Sequence, residues 1–431
     1  MTTAVGSTRL RPAHGGLAAG GDLPLHAIRS AFQPVVDLDT FAVVGYEALA
    51  RGPVGTPWER PDVLFDAGRT SGRLAELDAA CRTAAFAGAR DAGLTSPAWL
   101  FVNAEPEVLH TWALSPIEEM DGGDLPVMVE ITERALTHRP AELLAAVARL
   151  RELGWGIALD DVGADSASLA LLPLLAPDVI KLDLHLVQRR PGRDIAMVMN
   201  AVHAEAERSG ALLLAEGLET PEHVRRARAF GATLGQGWHF GSPGPLPEKP
   251  APPPITSRVQ LRPRARQQPG ASPFDIVTSG RPPRTADKAL LIEVSKQLEE
   301  QAAAAGGGSS VVLATFQDAR FFTPATRRRY HRLAQTAAFV AALGVDMPPA
   351  PLPGVRGGVL RAGDPLLDEW DIAVVGPHFA GTLVARQLPG QGDGDDAQYS
   401  FVLSHDRQLA VQVATCLMSR VTPRPVSASE S

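Results

Sequence analysis

Cysteine is scarce in this chain: Cys81 and Cys416 are the two present among 431 residues, and they lie far apart. That leaves no disulfide framework and no Cys-x-x-Cys metal motif. The N-terminus has no basic stretch followed by an apolar one, so a cytoplasmic protein with free thiols is expected. No apolar run reaches the roughly 18 residues that a membrane span needs. A basic surplus is missing too. Lys and Arg total 41 against 48 Asp and Glu, a formal charge of −7, which speaks against a non-specific DNA or RNA binder. There is no HxxxH, no His/Cys cluster, no GxSxG elbow and no Walker-type glycine loop.

What is present is ordinary for a folded protein. Hydrophobic residues make up 45% of the chain and charged ones 21%, which excludes wholesale disorder. At roughly 100 to 200 residues per domain the length predicts two or three domains. Residues 1–22 are small, polar and Gly-rich, and read as a disordered lead-in. Residues 23–245 alternate apolar runs with amphipathic stretches. Residues 246–271 are rich in Pro and Arg (Arg258, Arg262, Arg264, Arg266) and read as a semi-rigid linker, solvated rather than gripping an anion. A second globular segment spans 272–421, and residues 422–431 form a tail.

Short apolar runs recur through the first segment: Phe32 to Leu38, Phe41 to Leu49, Trp99 to Asn103, Pro126 to Glu130, Gly156 to Asp161, Val179 to Asp183, Ala211 to Glu216 and Ala232 to Gln236. They are rich in Val, Ile and Leu with little polar alternation, as strands buried on both faces should be. Helical patterns such as Leu143 to Leu153 and Ile195 to Ser209 separate most of them. So many alternations predict an α/β fold, a (β/α)8 TIM-like barrel. Only Asp39 and Thr40 separate the first two runs, too few for a parallel crossover. The first strand must be antiparallel and the barrel irregular.

Polar residues end these runs. Glu47, Asn103, Glu130, Asp160 with Asp161, Lys181 with Asp183, Glu216 and Gln236 each fall at or near a strand's C-terminal end. In a barrel those ends meet on one face, where active sites form. Any one of them alone is more economically a loop-facing polar residue. Seven strands agreeing is not explained that way. So many acids side by side repel one another unless cations lie between them. An oxygen-rich set suits Mg²⁺ or Mn²⁺ rather than zinc.

These residues carry a resemblance. Gln33-Pro34-Val35-Val36 and Gly45-Tyr46-Glu47-Ala48-Leu49-Ala50-Arg51 resemble the start of an EAL domain. The likeness continues through Phe101-Val102-Asn103, Val129-Glu130-Ile131-Thr132-Glu133, Leu159-Asp160-Asp161, Ile180-Lys181-Leu182-Asp183, Ala215-Glu216-Gly217-Leu218-Glu219-Thr220 and Gly235-Gln236-Gly237-Trp238. The resemblance implies a cyclic di-GMP phosphodiesterase that yields linear pGpG with two Mg²⁺ or Mn²⁺ ions. It implies Glu47, Asn103, Glu130 and Asp160 around one metal, and Asp160, Asp161 and Glu216 around a second. Lys181 and Glu216 would handle the attacking water, Gln236 would contact metal-bound water or phosphate, and Glu133 would steady the loop after Asp161. Arg51 would meet a substrate phosphate, with Gln33, Asp183 and Glu219 also on the substrate side. A homodimer is implied by the family alone, and no membrane partner is expected.

The loop after Asp161 departs from the family pattern: Val162 replaces a Phe, Asp165 a Gly and Ala167 a Ser. All ligand positions survive, so activity is expected with altered regulation; the alternative is a receptor that binds cyclic di-GMP without turnover. In the second segment, Ser310 to Phe316, Asp371 to Gly376 and Tyr399 to Ser404 read as strands. Ala289 to Ala304, ended by Gly306 to Gly308, reads as a helix, as do Pro324 to Leu343 and Arg407 to Ser419. The prediction is a smaller α/β domain. Phe316-Gln317, Arg320-Phe321-Phe322-Thr323, Glu369-Trp370 and Ser404-His405-Asp406-Arg407 resemble a DICT sensory domain. His405 with Asp406 has no nucleophile partner and reads as a turn or helix cap.

Overall fold

The computed structural model describes residues 23–112, 125–132, 139–163, 169–189, 192–248, 250, 271–304, 310–390, 394 and 396–423. The expected lead-in, most of the linker, the last eight residues, Gly306 to Gly308, Glu133 and positions 164–168 lie outside them.

The first unit is an eight-stranded closed barrel in sequence order. Its strands are β1 (Arg29–Asp37), β2 (Val43–Arg51), β3 (Trp99–Asn103), β4 (Val127–Thr132), β5 (Gly156–Val162), β6 (Val179–Leu182), β7 (Leu212–Ala215) and β8 (Leu234–Gln236). As the short hairpin demands, β1 runs antiparallel to both β2 and β8, and the neighbours from β2 to β8 are parallel. The hairpin is wider than two residues. Phe41 and Ala42 belong to the turn, where the Asp37 carboxylate accepts from the N–H groups of Asp39 and Thr40. That side-chain mimic of a backbone turn ends β1 early.

Outside the barrel, the helix Pro140–Glu152 buries Leu143, Ala146, Val147 and Leu150, a single stripe at helical spacing. The helix Arg193–Ser209 ends at Gly210, whose φ of +73° closes the last turn in the left-handed region. Inside, Val35, Phe101, Met128, Ala158, Val179, Leu214 and Leu234 fill the barrel as one apolar cluster. No helix among the described residues is long and apolar enough to cross a membrane.

The second unit is a seven-stranded sheet in the order β12-β11-β10-β13-β14-β15-β9. Its strands are β9 (Arg284–Asp287), β10 (Val311–Asp318), β11 (Phe339–Val345), β12 (Val355–Val359), β13 (Glu369–Val375), β14 (Ala380–Gln387) and β15 (Gln398–Ser404). One face carries the helices Lys288–Ala304 and Pro324–Thr336; the other carries Pro273–Thr278 and Arg407–Met418. The expected helix over Pro324 to Leu343 is corrected here. It stops at Thr336, and Phe339–Val345 is a strand. An apolar run of aromatic and β-branched residues, buried between two parallel neighbours, takes extended backbone despite its two alanines. Asp406 caps the helix Arg407–Met418, accepting from Gln408 and Leu409 N–H, as the sequence reading of that turn held.

The helix Arg407–Met418 also touches the barrel, at Leu172–Leu175 and at Pro140–Glu152.

Candidate active site

The polar rim grows directly out of the apolar interior. Side chains two residues apart share a strand face. Accordingly Phe101 leads to Asn103, Met128 to Glu130, Ala158 to Asp160, Val179 to Lys181, Leu214 to Glu216 and Leu234 to Gln236. On antiparallel β1 the order inverts, and Gln33 lies two residues before Val35. Strand pairing then sets Gln33 opposite Glu47 and Asn103 opposite Glu130.

Asp161 breaks this rule. Alternation would turn it away from its neighbour Asp160, yet β5 carries a register shift between Leu159 and Val162, and Asp161 takes φ +57°. A bulge re-aims side chains. Here it lets consecutive carboxylates converge: ligand oxygens of Asp160, Asp161 and Glu216 lie within 4.8 Å of one another. A non-glycine residue in the left-handed region costs energy and is found where function holds it. Glu216 is set by Gly217, whose φ is +61° and where a Cβ would lie 2.6 Å from that of Leu184.

Lys181 stands at the centre, 1% exposed. Its Nζ lies 2.8 Å from Glu216, 2.9 Å from Glu130, 3.1 Å from Asp160 and 3.8 Å from Glu47. Asn103 Nδ2 donates to Glu47 Oε1 at 2.8 Å, and Gln236 Nε2 donates to Glu47 Oε2 at 2.5 Å and to Gln33 Oε1 at 3.1 Å. Burial would lower the Lys181 value, but the surrounding carboxylates raise it well above the lysine range. Burial, then repulsion from Glu47, drives Glu130 well above the carboxylate range. Burial pushes Glu216 up to about 8 against the pull of Lys181. Burial works against Glu47 too, yet Lys181 and the two amides bring it below its usual value.

Four carboxylates therefore face a single ammonium, Asp161 adds a fifth beside Asp160 and Glu216, and Glu130 Oε2 is buried without a hydrogen-bond partner. A buried carboxylate oxygen without a donor is costly. An all-oxygen donor set of this kind fits hard divalent cations.

The other sequence-based candidates sit apart from the cluster's hydrogen bonds. Asp183 caps the short helix Leu184–Gln188, accepting from His185 N–H, and Glu219 is exposed beside Thr220, the cap of Pro221–Ala229. Arg51 ends β2 and pairs across the hairpin with Arg29. Both line a cavity of about 610 Å³ together with Glu59 and Arg60. Arg29 binds Glu59 at 2.6 Å. Arg29 and Arg60 were missed by the sequence reading, although the hairpin register alone brings Arg29 beside Arg51.

Comparison with known proteins agrees with this architecture. The EAL domain profile matches residues 24–243, and that of the sensory domain in diguanylate cyclases and two-component systems (DICT) matches residues 275–388. An uncharacterized protein of Mycobacterium tuberculosis is 29% identical over 237 residues, covering 50% of this chain and 75% of its own length. The cyclic di-GMP phosphodiesterase RocR of Pseudomonas aeruginosa is 32% identical over 228 residues, covering 50% of this chain and 57% of RocR. Among solved structures, the manganese and cyclic di-GMP complex of Klebsiella pneumoniae BlrP1 is 28% identical with a TM-score of 0.45. That match covers 52% of this chain and 57% of BlrP1. With a family match over half its length and the acidic rim in place, the chain belongs to the EAL domain family and carries a DICT domain behind the barrel.

Proposed function

We propose that this protein hydrolyses cyclic di-GMP to linear pGpG with two divalent cations, Mg²⁺ or Mn²⁺, under the control of its DICT domain. The observation that carries the reading is the cluster of Glu47, Glu130, Asp160 and Glu216 around the buried Lys181, with the exposed Asp161 carboxylate beside those of Asp160 and Glu216. Relatives of this family with named activity, such as RocR, are cyclic di-GMP phosphodiesterases.

Glu47, Asn103, Glu130 and Asp160 would hold one cation, and Asp160, Asp161 and Glu216 the second. When bound, the cations neutralise charge on the phosphodiester and acidify a water for in-line attack. The protein's own groups do the rest. Asn103 keeps its Nδ2 on Glu47, which leaves its carbonyl oxygen as a donor atom for the cation. Gln236 fixes the second oxygen of Glu47 and ties it to Gln33. Lys181 and Glu216, 2.8 Å apart, form the ammonium–carboxylate pair that orients the attacking water and takes its proton. Arg51 meets a substrate phosphate, and Arg29 extends that positive edge along the cavity. Gln33, Asp183 and Glu219 are assigned to the substrate side, and Glu133 to the loop that follows Asp161. The active unit is proposed as a homodimer, which mass measurement in solution tests.

Incubating the purified chain with cyclic di-GMP and Mn²⁺, and resolving products by chromatography, tests the reaction. Appearance of pGpG supports it. The altered residues Val162, Asp165 and Ala167 favour a second reading, a cyclic di-GMP receptor; saturable binding with no pGpG would select it.

A further inference from the structure

The ammonium–carboxylate pair at the rim belongs to a closed ring of contacts, and Gln188 completes that ring. Lys181 Nζ lies 2.8 Å from Glu216 Oε1. Two residues beyond Lys181, Asp183 caps the helix Leu184–Gln188 by accepting from the His185 N–H at 2.7 Å. The last residue of this helix reaches the exit of β7, where Gln188 Nε2 donates to the Gly217 carbonyl at 2.9 Å. Gly217 directly follows Glu216, and there the ring closes.

Gly217 suits this contact. Its φ is +61°, and a Cβ on it would lie 3.1 Å from Gln188 Nε2 as well as 2.6 Å from Leu184 Cβ, so the absent side chain admits both the helix and the amide. Strand pairing of β7 stops at Ala215, and the Gly217 carbonyl takes its partner from Gln188 instead. The Glu216 N–H reaches the Leu182 carbonyl at 3.3 Å, longer than an ordinary backbone bond. On the far side, Leu218 N–H donates to the Gln236 carbonyl at 3.0 Å. Five residues are too few for a helix to hold its own shape. Arg226, on the helix Pro221–Ala229, steadies its end by donating to the Val187 and Arg189 carbonyls at 3.3 and 3.4 Å.

We infer that Gln188 is a positioning residue for Glu216: its side-chain amide fixes the turn at Gly217, and so sets the Glu216 carboxylate against Lys181 and beside Asp160 and Asp161. Gln188 is partly exposed, and one neutral hydrogen bond at such a place adds little to stability. What it supplies is direction. The effect on turnover rests on the phosphodiesterase reading, whereas the effect on cation binding is read without turnover.

The test uses the full chain. Gln188→Met keeps the side-chain length and removes the donor, so the melting temperature should stay close to the parent's. Mn²⁺ affinity, measured by electron paramagnetic resonance, should fall about tenfold at one site, the low end of what the outer partners of a metal ligand supply. With cyclic di-GMP, kcat should fall by a similar factor while KM holds, as for an interaction realised in the transition state. Gln188→Lys, which keeps an N–H donor on a stem of sufficient reach, should recover most of both. A Gln188→Met protein with a lower melting temperature but parental Mn²⁺ affinity and kcat overturns the inference, as does a loss confined to KM. Equal losses in the Met and Lys variants take the donor out of the scheme and overturn it too. Weakened Mn²⁺ binding with no pGpG from the parent keeps the positioning role and removes the phosphodiesterase reading; pGpG at equal rates with equal Mn²⁺ affinity does the reverse.

Discussion

Lys181 Nζ lies 2.9 Å from Glu130 Oε1 in a setting where both side chains are essentially inaccessible to water. Neither charge tolerates that burial alone. The same ammonium also faces Glu216, Asp160 and Glu47, so it is the only cation among the described side chains of the cluster. Its removal leaves the acids to repel one another across a low-dielectric rim.

Lys181→Met is therefore expected to cost about 3–5 kcal/mol of stability in chelator, the usual penalty for stripping one partner from a buried ionic group. Saturating Mn²⁺ should recover part of that loss by supplying positive charge in its place. Turnover should fall by about 10² or more, since a group orienting the attacking water is gone. Urea denaturation with and without chelator, together with initial rates, checks both. A variant as stable and as active as its parent removes Lys181 from the centre of the site.

Glu130→Gln isolates the metal claim from the chemistry. A cation that binds only the folded chain stabilises it by about 2.7 kcal/mol at 100 times its dissociation constant. Replacing a carboxylate ligand with an amide should weaken that binding tenfold or more, shrinking the gain at the same Mn²⁺ concentration by about 1.4 kcal/mol. Thermal melts across a Mn²⁺ series read the difference. Equal gains in the two proteins would place the ions elsewhere.

Gln236→Leu tests orientation. Gln236 holds one Glu47 oxygen and ties it to Gln33, so its loss leaves that oxygen with the Lys181 ammonium at 3.8 Å and no hydrogen bond from an amide, while Asn103 still holds the other. The expected result is a folded protein with kcat reduced about 10²-fold, in keeping with a displacement near 1 Å at a reacting centre. Circular dichroism establishes the fold, and steady-state rates give kcat. A change confined to KM would instead put Gln236 on the substrate.

Much of the rim was readable before any coordinates. Asn103, Glu130, Lys181 and Gln236 stand two residues beyond an apolar interior position in runs too hydrophobic to be edge strands, so their faces follow from period-two geometry. Asp161 escaped that logic, because its convergence with Asp160 depends on a bulge and a left-handed φ that ordinary strand rules exclude. Arg29, at a strand end, and Arg60, just before the helix Pro61–Thr70, escaped because a charged residue in such a place looks like any solvated one until the cavity beside it is known. Phe339 to Leu343 fell inside the expected helix Pro324 to Leu343, where Ala and Leu favour helix, while burial between two parallel strands decided the outcome. Arg407 stands 3.7 Å from Glu205 although the two are 202 positions apart, a distance no local pattern spans.

The DICT sheet carries an acid whose cost should appear in a pH profile. Asp371 is fully buried on β13, its Oδ1 without a hydrogen-bond partner and its Oδ2 3.4 Å from Thr315. Burial, then repulsion from Glu369, holds its value well above the carboxylate range, with the Thr315 hydrogen bond and then Arg386 and Arg420 opposing more weakly. The folded form thus keeps a proton that the unfolded chain releases near pH 4. Stability from this group is complete below that pH and declines as pH rises toward the folded value, by up to about 1.4 kcal/mol per unit. Asp371→Asn, which cannot ionise, should flatten this part of the profile and be more stable than the parent at neutral pH. Urea midpoints from pH 4 to 8 provide the comparison. If parent and variant lose stability in parallel across that range, Asp371 is ionised in the folded protein and the assignment fails.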